Sequence, residues 1–92
     1  MNPLERMRRA VLNQRYRIST HAIDELSDDQ LESMDVEHVI LSGRITHVLT
    51  GDPRGTRYEV TGEACNGRLA RVVCRFLLSG VLLIITAYAV EE

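Results

Sequence analysis

Apolar positions recur along this chain first with a helical period and then with a strand period. Leu4, Met7 and Val11 stand at i, i+3 and i+7, one stripe of a helix that opens at Asn2–Pro3–Leu4–Glu5 and ends near Asn13. Asn2 can cap that helix, Pro3 suits its first turn, and Glu5 completes a capping box. Tyr16–Arg17–Ile18 reads as a short β-type segment. Ser19 or Thr20 then caps a second helix, His21 to about Asp28, with Ala22, Ile23 and Leu26 inward and Asp24 and Glu25 favourably placed near its positive end. Ser33 caps a third helix, where Val36, Val39 and Ile40 make the inner stripe, and Gly43 stops it as a left-handed residue would.

Past Gly43 the period changes to two. Arg44 to Thr50 is a strand, Gly51–Asp52–Pro53–Arg54–Gly55 a loop, and Arg57 to Gly62 a second strand. Asn66–Gly67 is a strong hairpin signal, Leu69 to Leu77 a third strand, Ser79–Gly80 a turn, and Val81 to Val90 a fourth. The expected fold class is α+β. N-terminal helices, about 2–43, pack on one face of a four- to five-stranded antiparallel sheet whose meander covers about 44–90, all in one domain, 1–92. Tyr16–Ile18 is the candidate fifth strand.

The apolar run from Phe76 to Val90 invites a membrane reading, which its length rejects. Fifteen residues lie between Arg75 and Glu91, broken by Ser79–Gly80, whereas a spanning helix needs about 20 uninterrupted apolar residues. Val81, Ile84, Ile85, Thr86, Tyr88 and Val90 are β-branched or aromatic, and the segment is apolar on both faces. It is expected to be a central, buried strand.

Composition sharpens the picture only in places. With 92 residues the chain holds one core, and its 45% apolar and 26% charged residues are ordinary globular values. All eleven basic residues are arginine, the side chain that clamps phosphates bidentately; codon bias in a GC-rich genome would give the same count. The net charge of −2 is unevenly spread. Five arginines precede Ile18 against one carboxylate, seven carboxylates lie from Asp24 to Glu37 with no arginine, and six arginines lie from Arg44 to Arg75. Cys65 and Cys74 show no metal-ligand spacing with the three histidines and read as reduced thiols of a cytoplasmic protein. No cofactor motif, phosphate loop, nucleophile elbow or apolar leader is visible.

His21 opens the second helix, where the dipole favours a neutral imidazole able to act as a base or a hydrogen-bond donor, or where it is simply a packed residue beside the cap. His38 and His47 read as surface or cross-strand residues. On the third strand Arg71, Val73 and Arg75 share one face; on the second, Arg57 and Glu59 do; on the last, Leu82, Ile84, Thr86 and Tyr88 do. Such arginines are either cross-strand partners of Glu59 and Glu63 or an anion-binding patch.

The string Tyr16–Arg17–Ile18–Ser19–Thr20–His21–Ala22, followed by Asp28–Asp29, Asp35–Val36–Glu37, Leu41–Ser42–Gly43, Asp52–Pro53–Arg54–Gly55–Thr56–Arg57–Tyr58 and Ile85–Thr86–Ala87–Tyr88, resembles a family of small bacterial domains, the domain of unknown function 4258. The resemblance covers roughly Tyr16 to Tyr88 and implies a RelE- or ParE-like toxin fold, in which helices precede an antiparallel sheet that can hold RNA. It further implies a metal-independent endoribonuclease or translation inhibitor, or a non-catalytic protein-interaction module of the same fold. By that resemblance Arg57 and Arg75 would clamp a phosphate and His21 or Tyr88 would handle protons. The implied partners are a small antitoxin-like protein and RNA; a homodimer through exposed sheet or helix is a separate expectation, and the length of the apolar run leaves no membrane partner. The chain departs from common RNA readers in having no lysine, a pI near 5.9 and only 4% aromatic residues.

Overall fold

A computed structural model describes residues 1–90. Three helices, α1 (Pro3–Leu12), α2 (Thr20–Asp28) and α3 (Ser33–Ser42), alternate early with a three-residue strand, β1 (Tyr16–Ile18). Four longer strands follow, β2 (Arg44–Leu49), β3 (Arg57–Glu63), β4 (Leu69–Phe76) and β5 (Leu82–Ala89). The sheet order is β1-β5-β4-β3-β2. The meander β2 to β5 is antiparallel as expected, and β1 joins beside β5 in parallel, so the sheet is mixed. The apolar run is the end of β4, a turn and β5, and β5 lies inside the sheet rather than at its edge. No helix among the described residues is long and apolar enough to cross a membrane.

The helices cover one face of the sheet. Met7 and Val11 of α1, Ala22 and Leu26 of α2, and Val36, Val39 and Ile40 of α3 meet Val60, Val72, Cys74, Leu82, Ile84 and Ala87 in one core. Ile23, expected inside, is 52% exposed, and α2 buries only Ala22 and Leu26.

The elements follow local chemistry, with three departures in capping and register. Asn2 accepts from the Glu5 amide at 2.9 Å, and Ser19 accepts from the Ala22 amide at 3.0 Å. The third helix is capped one residue earlier than Ser33, at Glu32, whose amide donates to Asp35 Oδ2 at 2.7 Å. Gly43 is extended, not left-handed, with φ −93° and ψ −164°. Its reason is space: a Cβ there would lie 2.4 Å from Thr61 O and 2.5 Å from Val39 O. Gly62 on β3 faces it with the same constraint, a Cβ meeting Val39 O at 2.7 Å. The carbonyls at the end of α3 are taken instead by Arg8, whose Nε donates to Ile40 O at 3.1 Å and whose Nη2 donates to Gly43 O at 2.9 Å.

The third departure is in β5. Its register against β4 slips between Ile84 and Thr86, leaving Ile85 as an extra residue. Leu82 and Ile84 therefore face the helices together with Ala87 and Ala89, while Thr86 and Tyr88 turn to the other face. The expectation that Leu82, Ile84, Thr86 and Tyr88 share a face fails for this reason: one inserted residue reverses every side chain beyond it.

Candidate functional site

The face without helices is built by alternation in four strands. Register places Arg57, Glu59 and Thr61 of β3, Arg71, Val73 and Arg75 of β4, and Leu83, Thr86 and Tyr88 of β5 on it, with Arg44, His47 and Leu49 of β2. Long side chains lie across this surface, and Val73 at its centre is only 9% exposed.

Two rows behave differently. In the row of Thr61 and Arg71, Thr46 Oγ1 donates to Glu59 Oε1 at 2.8 Å and meets Thr61 Oγ1 at 2.8 Å. Arg71 Nε donates to Thr61 Oγ1 at 3.3 Å and lies 3.8 Å from Glu59. Arg71 is thus a satisfied cross-strand partner, and Tyr88 stands opposite it on β5.

The row of Arg57 and Arg75 is not satisfied. The pairing of Tyr58 with Cys74 sets the two arginines side by side one step further along, with Cβ atoms about 5 Å apart, where like charges repel. Their Nε groups are buried and have no hydrogen-bond partner among the described residues. Asp52 lies 3.6 Å from Arg57 Nε, but its oxygens are occupied by Arg54, through the amide at 2.9 Å and through Nε and Nη2 at 3.2 and 3.3 Å. The side-chain and backbone hydrogen bonds from Arg54 hold the Asp52 carboxyl below its ordinary range. The loop that makes this arrangement turns on Gly51 and Gly55, with φ of 91° and 123°. Two adjacent guanidinium groups, of which only Arg57 has a carboxylate nearby among the described residues, are a place for an anion with several oxygens.

The candidate residues do not all gather there. Arg57 and Arg75 are neighbours. Tyr88 shares their face but stands opposite Arg71, four residues from Arg75 along β4 and so about 13 Å away along the strand. His21 lies on α2 in the helix layer, 71% exposed, with Nε2 3.3 Å from Glu25 Oε1. Sequence reasoning set His47 aside, yet it is exposed on the arginine face, paired with Glu59 in the row next to Arg57. The signal was present as a period-two position on β2, obscured by the irregular pairing at Thr46 that shifts the parity of the strand.

The acidic stretch also has a structural use. Beyond the short β1, the amides of β5 would be a bare edge. Glu25 accepts from the Ala87 amide at 3.2 Å and from the Thr86 hydroxyl, and Asp29 accepts from the Ala89 amide at 2.8 Å. Glu25 therefore serves the sheet edge rather than the helix dipole.

A family model described as Domain of unknown function (DUF4258) matches residues 18–89. No curated protein and no solved structure matches the chain.

Proposed function

We propose, from the premise that the chain belongs to the domain of unknown function 4258 family, that its open sheet face binds the phosphodiester backbone of RNA as the working surface of a small toxin-like endoribonuclease or translation inhibitor of the RelE/ParE kind, acting in the cytoplasm. The observation that carries this reading is the Arg57–Arg75 pair, whose buried Nε donors lack partners among the described residues. The two side chains stand side by side on the open face, and a phosphate between them would offset their mutual repulsion and accept from their terminal nitrogens. In cleavage, a 2′-hydroxyl loses its proton and its oxygen bonds to phosphorus as the bond to the 5′-oxygen breaks, and that leaving oxygen takes a proton. The arginines stabilise the charge that builds on the phosphoryl oxygens. His47 is the imidazole on their face, and it takes the proton-handling role in preference to His21 and Tyr88.

Induced expression in a bacterial host tests this. Growth arrest with fragmented RNA is expected, relieved by Arg57→Gln with Arg75→Gln and by His47→Gln, but not by His21→Gln. Normal growth together with intact RNA after incubation with purified protein would refute it.

The open edge of β2 supports a second reading, a protein-interaction module. β2 is the last strand of the sheet, and exposed Val48 and Thr46 lie along it. A small antitoxin-like partner would add a strand there. A stoichiometric partner co-purified from the native host, lost on placing proline at Val48, supports it; an unpartnered monomer contradicts it.

A further inference from the structure

We infer that the helix layer carries a second anion-binding subsite, made by Arg6, Arg9 and Arg15 around Phe76, and that its ligand is the backbone of a single-stranded nucleic acid. For its ligand class it rests on the reading of the sheet face given above, but on no reaction.

Arg6 and Arg9 stand three apart on α1 and so project from one side of it. The chain then turns back through Gln14, whose φ is 57°, and presents Arg15 to the same hollow. These three exposed arginines line a groove of about 230 Å³ with Asn13, Phe76 and Gly80. Among the described residues no carboxylate forms an ion pair with any of the three. Arg8, their neighbour on α1, differs: it is committed to the carbonyls of α3. Arg15 is fixed by one hydrogen bond, from Nη2 to Ser79 O at 3.3 Å, which leaves most of its donors outward.

Two features select a nucleic acid over other anions. The Arg6 guanidinium lies over the Phe76 ring, 4.0 Å from its centroid. Its outer plane is a platform on which an unpaired base can stack. The groove also sits beside the sheet-face site: Arg75 and Phe76 are consecutive on β4, so their side chains leave opposite faces of the same strand end. A backbone wrapped around that end would meet Arg57 and Arg75 on one side and Arg6, Arg9 and Arg15 on the other. Glu5 is the carboxylate of α1 and accepts from the Asn2 side chain, while Asp28, Asp29, Glu32 and Asp35 gather where α2 gives way to α3, so the net charge of −2 is concentrated away from the three arginines.

The test is fluorescence anisotropy with a labelled oligouridylate and its 2′-deoxy counterpart, between about 50 and about 200 mM salt. Arg6→Gln with Arg9→Gln is expected to weaken binding of both probes about tenfold and to lower the salt slope by about 1.4, from about 0.7 per lost single-strand phosphate contact. Arg9→Gln alone, at an exposed position, should give about half that slope change and keeps the test valid if the pair of substitutions perturbs folding. Unchanged affinity and slope in both variants, with binding abolished by Arg57→Gln and Arg75→Gln, would overturn the subsite and leave the sheet reading intact. Binding lost in the α1 variants but retained without Arg57 and Arg75 would uphold the subsite against the sheet reading. Binding to phosphatidylserine vesicles with none to either oligonucleotide would overturn it in favour of a membrane surface.

Discussion

Replacing Gly43 with alanine adds one methyl group where α3 meets β3, and the structure sets what that costs. The new Cβ would stand 2.4 Å from Thr61 O and 2.5 Å from Val39 O, both backbone atoms, where ordinary contact begins at 3.4 Å. Neither carbonyl can rotate away without breaking its own pairing, so the helix end must lift by about 1 Å from the strand. A gap of that size forfeits a quarter to a half of the contact energy across it. The side chains on that interface are Val36, Val39 and Ile40, none more than 1% exposed. Each is worth about 2 kcal/mol when buried, so the loss is about 1.5–3 kcal/mol. Alanine gains back about 0.5 kcal/mol by restricting the unfolded chain, and φ at −93° adds no backbone strain. The net expectation is a destabilisation near 2 kcal/mol, or about 10 °C in Tm for a domain of this size. Urea unfolding followed by far-ultraviolet circular dichroism measures it, with an unchanged m-value. Gly67→Ala is the control: its φ is 85° with nothing within 4 Å of the added Cβ, so it should cost about 1 kcal/mol from backbone conformation alone. A Gly43→Ala protein within about 0.5 kcal/mol of wild type would refute the steric account.

Other residues give independent checks. Glu25→Ala leaves the Ala87 amide and Thr86 hydroxyl without their carboxylate; a loss of about 1–3 kcal/mol is expected by urea unfolding, together with concentration-dependent association through the bared edge of β5, visible by light scattering. Burial, reinforced by a hydrogen bond to Glu37, pushes the Tyr16 hydroxyl up to about 12 from 10.0. Because the folded value is the higher one, this contribution is whole below the ordinary value and is lost as pH rises through the folded one. Tyr16→Phe should flatten the alkaline limb of stability against pH, and an unaltered limb would contradict the assignment. Burial likewise pushes the Cys74 thiol up to about 12, and Cys65 is exposed. A thiol reagent should therefore label one cysteine in the native protein and both after denaturation; two fast labels in the native state would show that β4 is not buried as described. Asp35 is pushed up by burial, but the Glu32 and Cys65 amides outweigh this and hold it below its ordinary range; Asp35→Asn should remove part of the stability that wild type loses as pH falls through that depressed value.

Local signals fixed much of this protein. The stripe of Met7 and Val11, the Asn2 and Ser19 caps, the Asn66–Gly67 turn and the strand character of Leu82 to Ala89 were readable because each depends on residues within one or two turns of itself. Alternation alone grouped Arg57 with Glu59 and Arg75 with Arg71, each pair within its own strand, and the match of a family model over residues 18–89 agrees with the ordered set of motifs.

What depended on distant partners was not legible. Gly43 looked like a helix stop, but its requirement comes from a carbonyl eighteen positions later, at Thr61. The parallel seat of β1 and the use of Glu25 and Asp29 as edge acceptors depend on where β5 lies in space. The bulge at Ile85 sends Thr86 and Tyr88 to the open face, and the irregular pairing at Thr46 brings His47 to the same side. Sequence determined which residues alternate. Only the tertiary structure decided where the alternation breaks, which donors are left unmet and which histidine stands near them, because register and charge compensation are settled between strands and not within them.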